Sequence, residues 1–326
     1  MNRQLADLRD RTLKWTPREI PIQRLTFVAD RLFALTNREM VVLDAAGKSD
    51  LQRFGLDGPH QLTALADGSV LGVGTKDTFR LRPLAKKLDA LSKVMLLPEN
   101  QVFGSASDAS RFDVFDASAG YWESFSFEAE PSVSSLWLPA STDEVPELKR
   151  AHCAQLVDGG YGCFATGQLW RFYSRGKPKS FGTCGVGLPV WRVFGGPRAD
   201  QLWIARDDGR LEKWWFGPPP KRLAVLQLPW TPLDVAVQKD RLAVIRIIQE
   251  RAKPKELSLV VLDADGKTRF EQSLHTNLDD ETTSVELELR EAEVAVHPKR
   301  PWVAVRTTRG VRLLNGLTGE TILEVQ

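Results

Sequence analysis

Only three cysteines, four histidines and three tyrosines occur among 326 residues, and each scarcity narrows the choice of chemistry. The three thiols (Cys153, Cys163 and Cys184) cannot all pair and form no CxxC, so they are expected to be packed free thiols. Of the histidines, His60 and His152 each head a first strand, where two imidazoles can approach one another on one face. A zinc site needs three or four ligands, so hydrogen-bonded loop histidines are expected, with no metal or cofactor. No apolar run approaches the ~18–20 residues of a membrane span. The opening segment MNRQLADLRDRTLKW is charged throughout and lacks the apolar stretch of a secretory signal. The expectation is a reduced, cytoplasmic location with no membrane contact. A net charge of +2, from 44 basic and 42 acidic residues, leaves no whole-molecule field drawing the chain to nucleic acid. GxSxG, P-loop and HExxH patterns are missing. The glycine-rich GTCGVGLP (182–189) does not join a strand to a helix, as a phosphate cradle requires.

What the chain has is repetition. A short apolar strand, a polar turn and a second apolar strand recur as IQRLTFVADRLFAL (22–35), HQLTALADGSVLGV (60–73), VMLLPENQVFGS (94–105) and HCAQLVDGGYGCFA (152–165). The series continues with WRVFGGPRADQLWIA (191–205), LDVAVQKDRLAVI (233–245) and EVAVHPKRPWVAV (293–305). A third strand ending in a Gly or Lys turn follows each hairpin, as in MVVLDAAGK (40–48), RFDVFDASAG (111–120) and LSLVVLDADGK (257–267). Outer fourth strands come next, as in LQRF (51–54), YWESFSF (121–127) and TILEV (321–325), and are weak in the second and fourth repeats. Self-similarity at a spacing near ~40–45 residues marks a repeat architecture. The fold class predicted is all-β, a seven-bladed β-propeller of four-stranded antiparallel blades, with ten Trp and fifteen Phe to fill the wedges between sheets.

An apolar residue plus Asp before a Gly-Lys or Gly-Glu turn recurs as Leu43-Asp44, Phe115-Asp116 and Leu262-Asp263, and in altered form as Leu314-Asn315. Together with hairpins such as LDVAVQKDRLAV, these units resemble divergent bacterial WD40-like (YVTN- or PQQ-repeat-like) propeller repeats over residues 22–326. They lack the Trp-Asp dipeptide, and only His60 sits where a Gly-His pair would. The resemblance implies one ring over 22–326 with loop insertions at 127–150, 249–256 and 277–293. The C-terminus supplies all four strands of the last blade. Residues 1–21 then form an extension that caps the ring, adds an edge strand or docks a partner. By type, the chain is also similar to bacterial propellers that work with an AAA+ ATPase and a von Willebrand A-type protein in conflict systems.

Three groups of residues are candidates for function. Asp44, Asp116 and Asp263 sit at equivalent third-strand ends in different blades, too far apart for a two-carboxylate site and suited to forming turns. Lysines after the third strands (Lys48, Lys86, Lys87, Lys177, Lys179, Lys221 and Lys267, with Arg222) make either a discontinuous basic ring or ordinary solvated turns that blunt sheet edges. On the opposite face lie the insertions, Arg251, Lys253 and Lys255 of the sixth blade, and Trp137, Trp191 and Trp230 at blade crossings. A Trp bordered by charge suits an interface anchor, and each taken singly also suits packing between blades. The first strands are mostly apolar, which favours a non-catalytic protein-interaction scaffold or adaptor over an enzyme or small-ligand binder using the central funnel.

Overall fold

In the computed structural model, the strands and most tight turns between residues 24 and 325 are described. The stretches 1–23, 45–51, 92–99, 105–109, 117–120, 128–132, 138–150, 173–178, 184–189, 249–255 and 277–291, with a few shorter turn segments, lie outside the described residues. Twenty-eight strands form seven four-stranded antiparallel sheets and, among the described residues, no helix occurs. Blade 1 holds β1 (Leu25–Val28), β2 (Arg31–Leu35), β3 (Glu39–Asp44) and β4 (Gln52–Gly55). Blade 2 holds β5 (His60–Ala64), β6 (Val70–Gly74), β7 (Thr78–Leu81) and β8 (Asp89–Leu91). Blade 3 holds β9 (Asn100–Gly104), β10 (Arg111–Asp116), β11 (Tyr121–Ser126) and β12 (Val133–Trp137). Blade 4 holds β13 (His152–Gln155), β14 (Tyr161–Ala165), β15 (Gln168–Phe172) and β16 (Lys179–Thr183). Blade 5 holds β17 (Val190–Gly195), β18 (Gln201–Arg206), β19 (Arg210–Trp215) and β20 (Lys221–Gln227). Blade 6 holds β21 (Asp234–Gln238), β22 (Arg241–Ile248), β23 (Glu256–Asp263) and β24 (Thr268–Thr276). Blade 7 holds β25 (Glu293–Val296), β26 (Trp302–Thr307), β27 (Gly310–Asn315) and β28 (Thr321–Val325). This is the seven-bladed ring that the repeats predict.

Strand alternation explains why the middle of each second strand is largely apolar on both of its faces. Successive side chains point to opposite faces of a sheet, and here both faces meet a neighbouring blade. On β22, Leu242 and Val244 enter the core shared with blade 5, whereas Ala243 and Ile245 enter the core shared with blade 7. On β18, Leu202 and Ile204 face blade 4 while Trp203 and Ala205 face blade 6. Seven such clusters result among the described residues, one at each blade junction. Outer strands have lost one neighbour and are largely exposed, as β20 and β28 are.

The ring closes without sharing a strand, because blade 7 is built wholly from the last segment of the chain. One cluster joins Leu25, Leu32, Ala34, Val41 and Leu43 of blade 1 to Ala304, Val311 and Leu313 of blade 7. Both carboxylate oxygens of Glu293 accept the Arg24 backbone N–H at 3.0 Å. The Arg306 guanidinium donates to the Leu35 carbonyl, and Arg300 pairs with Asp30 at 2.7 Å.

The expectations for blade 3 and for the cysteines need correction. Blade 3 starts one strand later than its sequence indicates: residues 101–104, expected as a second strand, belong to the innermost β9. Everything after it shifts inward by one place, so 121–126 is the third strand, and the supposed loop insertion at 127–150 contributes the outer strand β12. Asp116 therefore ends a second strand and is not equivalent to Asp44 and Asp263. Finally, Cys153 and Cys163 are not free thiols. They are direct cross-strand partners on β13 and β14 and form a buried disulfide. Cys184 lies outside the described residues.

Candidate functional site

Antiparallel connection divides the loops between the two faces of the ring. Each first strand begins, and each fourth strand ends, on the face that also carries the turns between second and third strands. This is the insert face. The opposite face carries the turns that join first to second and third to fourth strands, and is called the turn face below.

The sequence-predicted residues of the insert face fall on separate blades. Trp137 is the last residue of β12, its backbone opposite Trp122 on β11. Trp191 lies in innermost strand β17, within a register shift between Val190 and Arg192. Trp230 follows β20 at the crossing from blade 5 to blade 6, half-buried against the core shared by those blades. The Arg246 guanidinium lies 4.9 Å from its ring centroid and is itself held by Glu271. Trp230 is thus a packed residue with one accessible side. Arg251, Lys253 and Lys255 lie outside the described residues, as do 277–291. The β22–β23 ladder runs to Ile248 opposite Glu256, which carries that hairpin beyond the length of the other blades' hairpins. Trp137 and Trp230 share a face by topology, and Trp191 sits nearer the axis.

Less evident from the sequence is a polar ring at the channel mouth. At the starts of the seven innermost strands, or within two residues of them, lie Arg24, His60, Asn100, His152, Arg192, Asp234 and Glu293, all toward the insert face. The apolar body of each first strand masks this pattern, although a polar residue heads nearly every one. Asp234 is 2% exposed. It accepts the Arg192 guanidinium from blade 5, and its other oxygen accepts the Val294 backbone N–H of blade 7 at 2.8 Å. With Glu293 on the Arg24 N–H, the two acids tie blades 5, 6, 7 and 1 together in sequence. The ring of His60 is buried, and its Nε2 lies 2.5 Å from Asp77 Oδ1 of the loop between β6 and β7. His152 heads β13 two blades away, and burial holds its pKa below the ordinary imidazole value, so the neutral form is favoured. Among the described residues, no group of three or more His, Cys, Asp or Glu is placed to hold a metal ion.

The turn-face residues are ordinary where they fold locally. Asp263 Oδ1 accepts the backbone N–H groups of Asp265 and Lys267 at 3.0 and 2.9 Å, the turn-forming role expected of it. Lys86, Lys87, Lys221, Arg222 and Lys267 are exposed, and Arg222 reaches Glu212 at 3.5 Å. Lys48 and Lys177 lie outside the described residues.

No protein-family model and no curated protein matches the chain. Among solved structures, the β-propeller domain of Cps50 (Swd1) from Myceliophteria thermophila is similar at 12% identity, with a TM-score of 0.58 over 88% of this chain and 93% of that one. Virginiamycin B lyase from Staphylococcus aureus is similar at 8% identity, with a TM-score of 0.56 over 91% and 94%. KlHsv2 with one loop replaced by a Gly-Ser linker is similar at 12% identity, with a TM-score of 0.57 over 90% and 92%. At these identities the likeness establishes the fold alone.

Proposed function

We propose that this chain is a non-catalytic interaction scaffold, an adaptor that binds another protein through the insert face of a rigid ring. The observation that carries this reading is the commitment of the acids at the channel mouth to architecture. Hydrolytic chemistry in a funnel needs carboxylates or imidazoles that converge on a substrate. Asp234 and Glu293 instead accept backbone N–H groups across blade junctions, and His60 is engaged by Asp77. A rigid scaffold that leaves long connections on one face is suited to binding. The specific form of the proposal is an adaptor beside an AAA+ ATPase and a von Willebrand A-type protein in a bacterial conflict system.

The test is native co-purification with chemical cross-linking, followed by binding measurements on variants. Truncating a hot-spot Trp removes ~2 kcal/mol or more, about thirtyfold in affinity. Trp137→Ala, or neutralising Arg251, Lys253 and Lys255 together, is expected to weaken partner binding to that extent while leaving Tm nearly unchanged. If neither matters, and reversing Lys48, Lys86, Lys177 and Lys221 abolishes partner binding, the partner sits on the turn face.

His152, a half-buried neutral imidazole at the mouth, favours a second reading, a small-ligand or enzyme site in the funnel. Turnover of an ester, lactone, glycoside or phosphoester that disappears in His152→Ala would establish it.

A further inference from the structure

The turn between β7 and β8 carries two anomalies at one residue. Ala85 donates its backbone N–H to the Arg82 carbonyl at 3.1 Å, closing a four-residue turn with Pro83 second and Leu84 third. Leu84 has φ 65°, so this is the geometry of a type II turn, whose third position calls for glycine. Leucine in the left-handed region is an outlier, because its Cβ crowds the following carbonyl. The side chain is also 77% exposed, so it contributes no packing to the ring in exchange. A strained, exposed apolar residue that does nothing for the fold points to something outside it.

The rest of the face agrees. Among the described residues, the large apolar side chains left exposed are Leu84, Trp215, Leu223, Val225, Leu317 and Ile322. All lie at a turn between third and fourth strands or on the fourth strand that leaves it. Cations are interleaved with them. Among the described residues, Lys86, Lys87, Lys221, Lys267 and Lys299 are exposed on this face with no acidic partner, against Asp265 and Glu320 as exposed acids lacking a basic one. Trp215 is 37% exposed and donates its Nε1–H to Asp200 at 3.0 Å, so an apolar ring with a satisfied polar edge stands at this surface. Near-neutral total charge conceals this asymmetry, since it arises only when the turns of different blades are brought to one face.

We propose that the turn face docks on an anionic lipid bilayer, with Leu84 as its inserted tip and Lys86 and Lys87 on the headgroups. A bilayer is favoured over an acidic protein by the spacing of the exposed tips. Leu84, Trp215 and Leu317 belong to blades 2, 5 and 7, spread around the ring on one face. A peptide or small domain meets one of them, whereas a plane meets all three. Weak apolar insertion joined to polybasic attraction is how peripheral proteins hold to such surfaces. The proposal is independent of the scaffold reading, because the two use opposite faces.

Co-sedimentation with vesicles decides it. The wild-type protein is expected to sediment with phosphatidylcholine vesicles containing about 30% phosphatidylserine, to be released by salt, and to stay in solution with phosphatidylcholine alone. Lys86→Glu with Lys87→Glu is expected to weaken partitioning at least about 25-fold, about fivefold for each charge. Leu84→Gly keeps the turn and relieves its strain, so Tm is expected to hold or rise while vesicle binding falls about tenfold or more. Arg309→Glu, on the insert face, is expected to leave binding unchanged. No sedimentation with the anionic vesicles overturns the proposal, as does binding that ignores Leu84→Gly and the lysine reversals. So does a turn face whose lysine reversals abolish binding of an acidic protein and leave vesicles unaffected.

Discussion

Asp234→Ala should loosen the ring more than any surface change, and its magnitude follows from two bonds. Asp234 is buried at the head of β21 and holds residues 42 positions before it and 60 positions after it. Removing the carboxylate orphans the buried Val294 N–H, worth about 1–3 kcal/mol, and deletes a charge-assisted bond from Arg192, worth about 1.5–3 kcal/mol. Arg192 is 20% exposed, so water recovers part of its loss. The expected destabilisation is then about 3 kcal/mol. For a ring of this length unfolding as one unit, that corresponds to a fall in Tm of about 5 °C. Asp234→Asn retains an oxygen for Val294 and loses only the charge toward Arg192, so about 1–2 kcal/mol is expected. Urea unfolding followed by tryptophan fluorescence and far-ultraviolet circular dichroism measures both. An alanine variant within about 1 kcal/mol of wild type refutes the reasoning, as does an asparagine variant equally damaged.

A close approach near the axis should make Gly104 and Gly195 intolerant of any side chain. A Cβ on Gly104 would lie 1.8 Å from the Ala64 carbonyl oxygen, and one on Gly195 would lie 2.3 Å from that of Gln155. Gly104→Ala and Gly195→Ala are each expected to cost at least about 2 kcal/mol in denaturant unfolding, and a neutral result at either would refute the close contact. The Cys153–Cys163 bond closes a short loop, for which chain entropy gives about 2–3 kcal/mol. Thiol titration of the unfolded, unreduced protein should therefore find one free thiol (Cys184), and reduction should lower the urea midpoint; three free thiols before reduction would refute the pairing. Burial depresses the pKa of both His152 and His297, so the unfolded chain binds protons that the folded chain does not. Their contribution is fully present above about pH 6.5 and is lost as pH falls through the depressed folded values. His297 Nδ1 also accepts the Lys299 and Arg300 N–H groups, contacts that protonation at that atom would break. Tm should drop between about pH 7 and 5 and flatten in the His152→Gln, His297→Gln double variant; an equal drop in that variant would refute the assignment.

Strand identity was legible because it is local. Alternating apolar residues bounded by Asp-Gly or Asn turns select extended hairpins wherever they occur, and seven recurrences select a ring. In blade 3 the same logic went astray over 101–104, since an apolar run reads as strand whichever place in a blade it takes. The Cys153–Cys163 pair was within reach, because both residues sit symmetrically about the turn of a hairpin visible in HCAQLVDGGYGCFA, and pairing Gln155 with Tyr161 brings them face to face. The polar mouth was hidden for a different reason. Each head residue is a single polar position before an apolar strand, unremarkable until seven of them meet at one axis.

The residue pattern alone establishes that this chain is all-β and built from repeated antiparallel units. Those properties depend on side-chain period and turn chemistry within about 40 residues. Packing of the blades settles how the ring closes, which strand lies innermost, which acids bridge blades and which face collects exposed leucine and lysine. Asp234 and Arg192 are 42 residues apart, and Leu84 and Lys299 come to one face from opposite ends of the chain. Such neighbours exist only once the ring has closed, because closure, and not local propensity, sets the distances between blades.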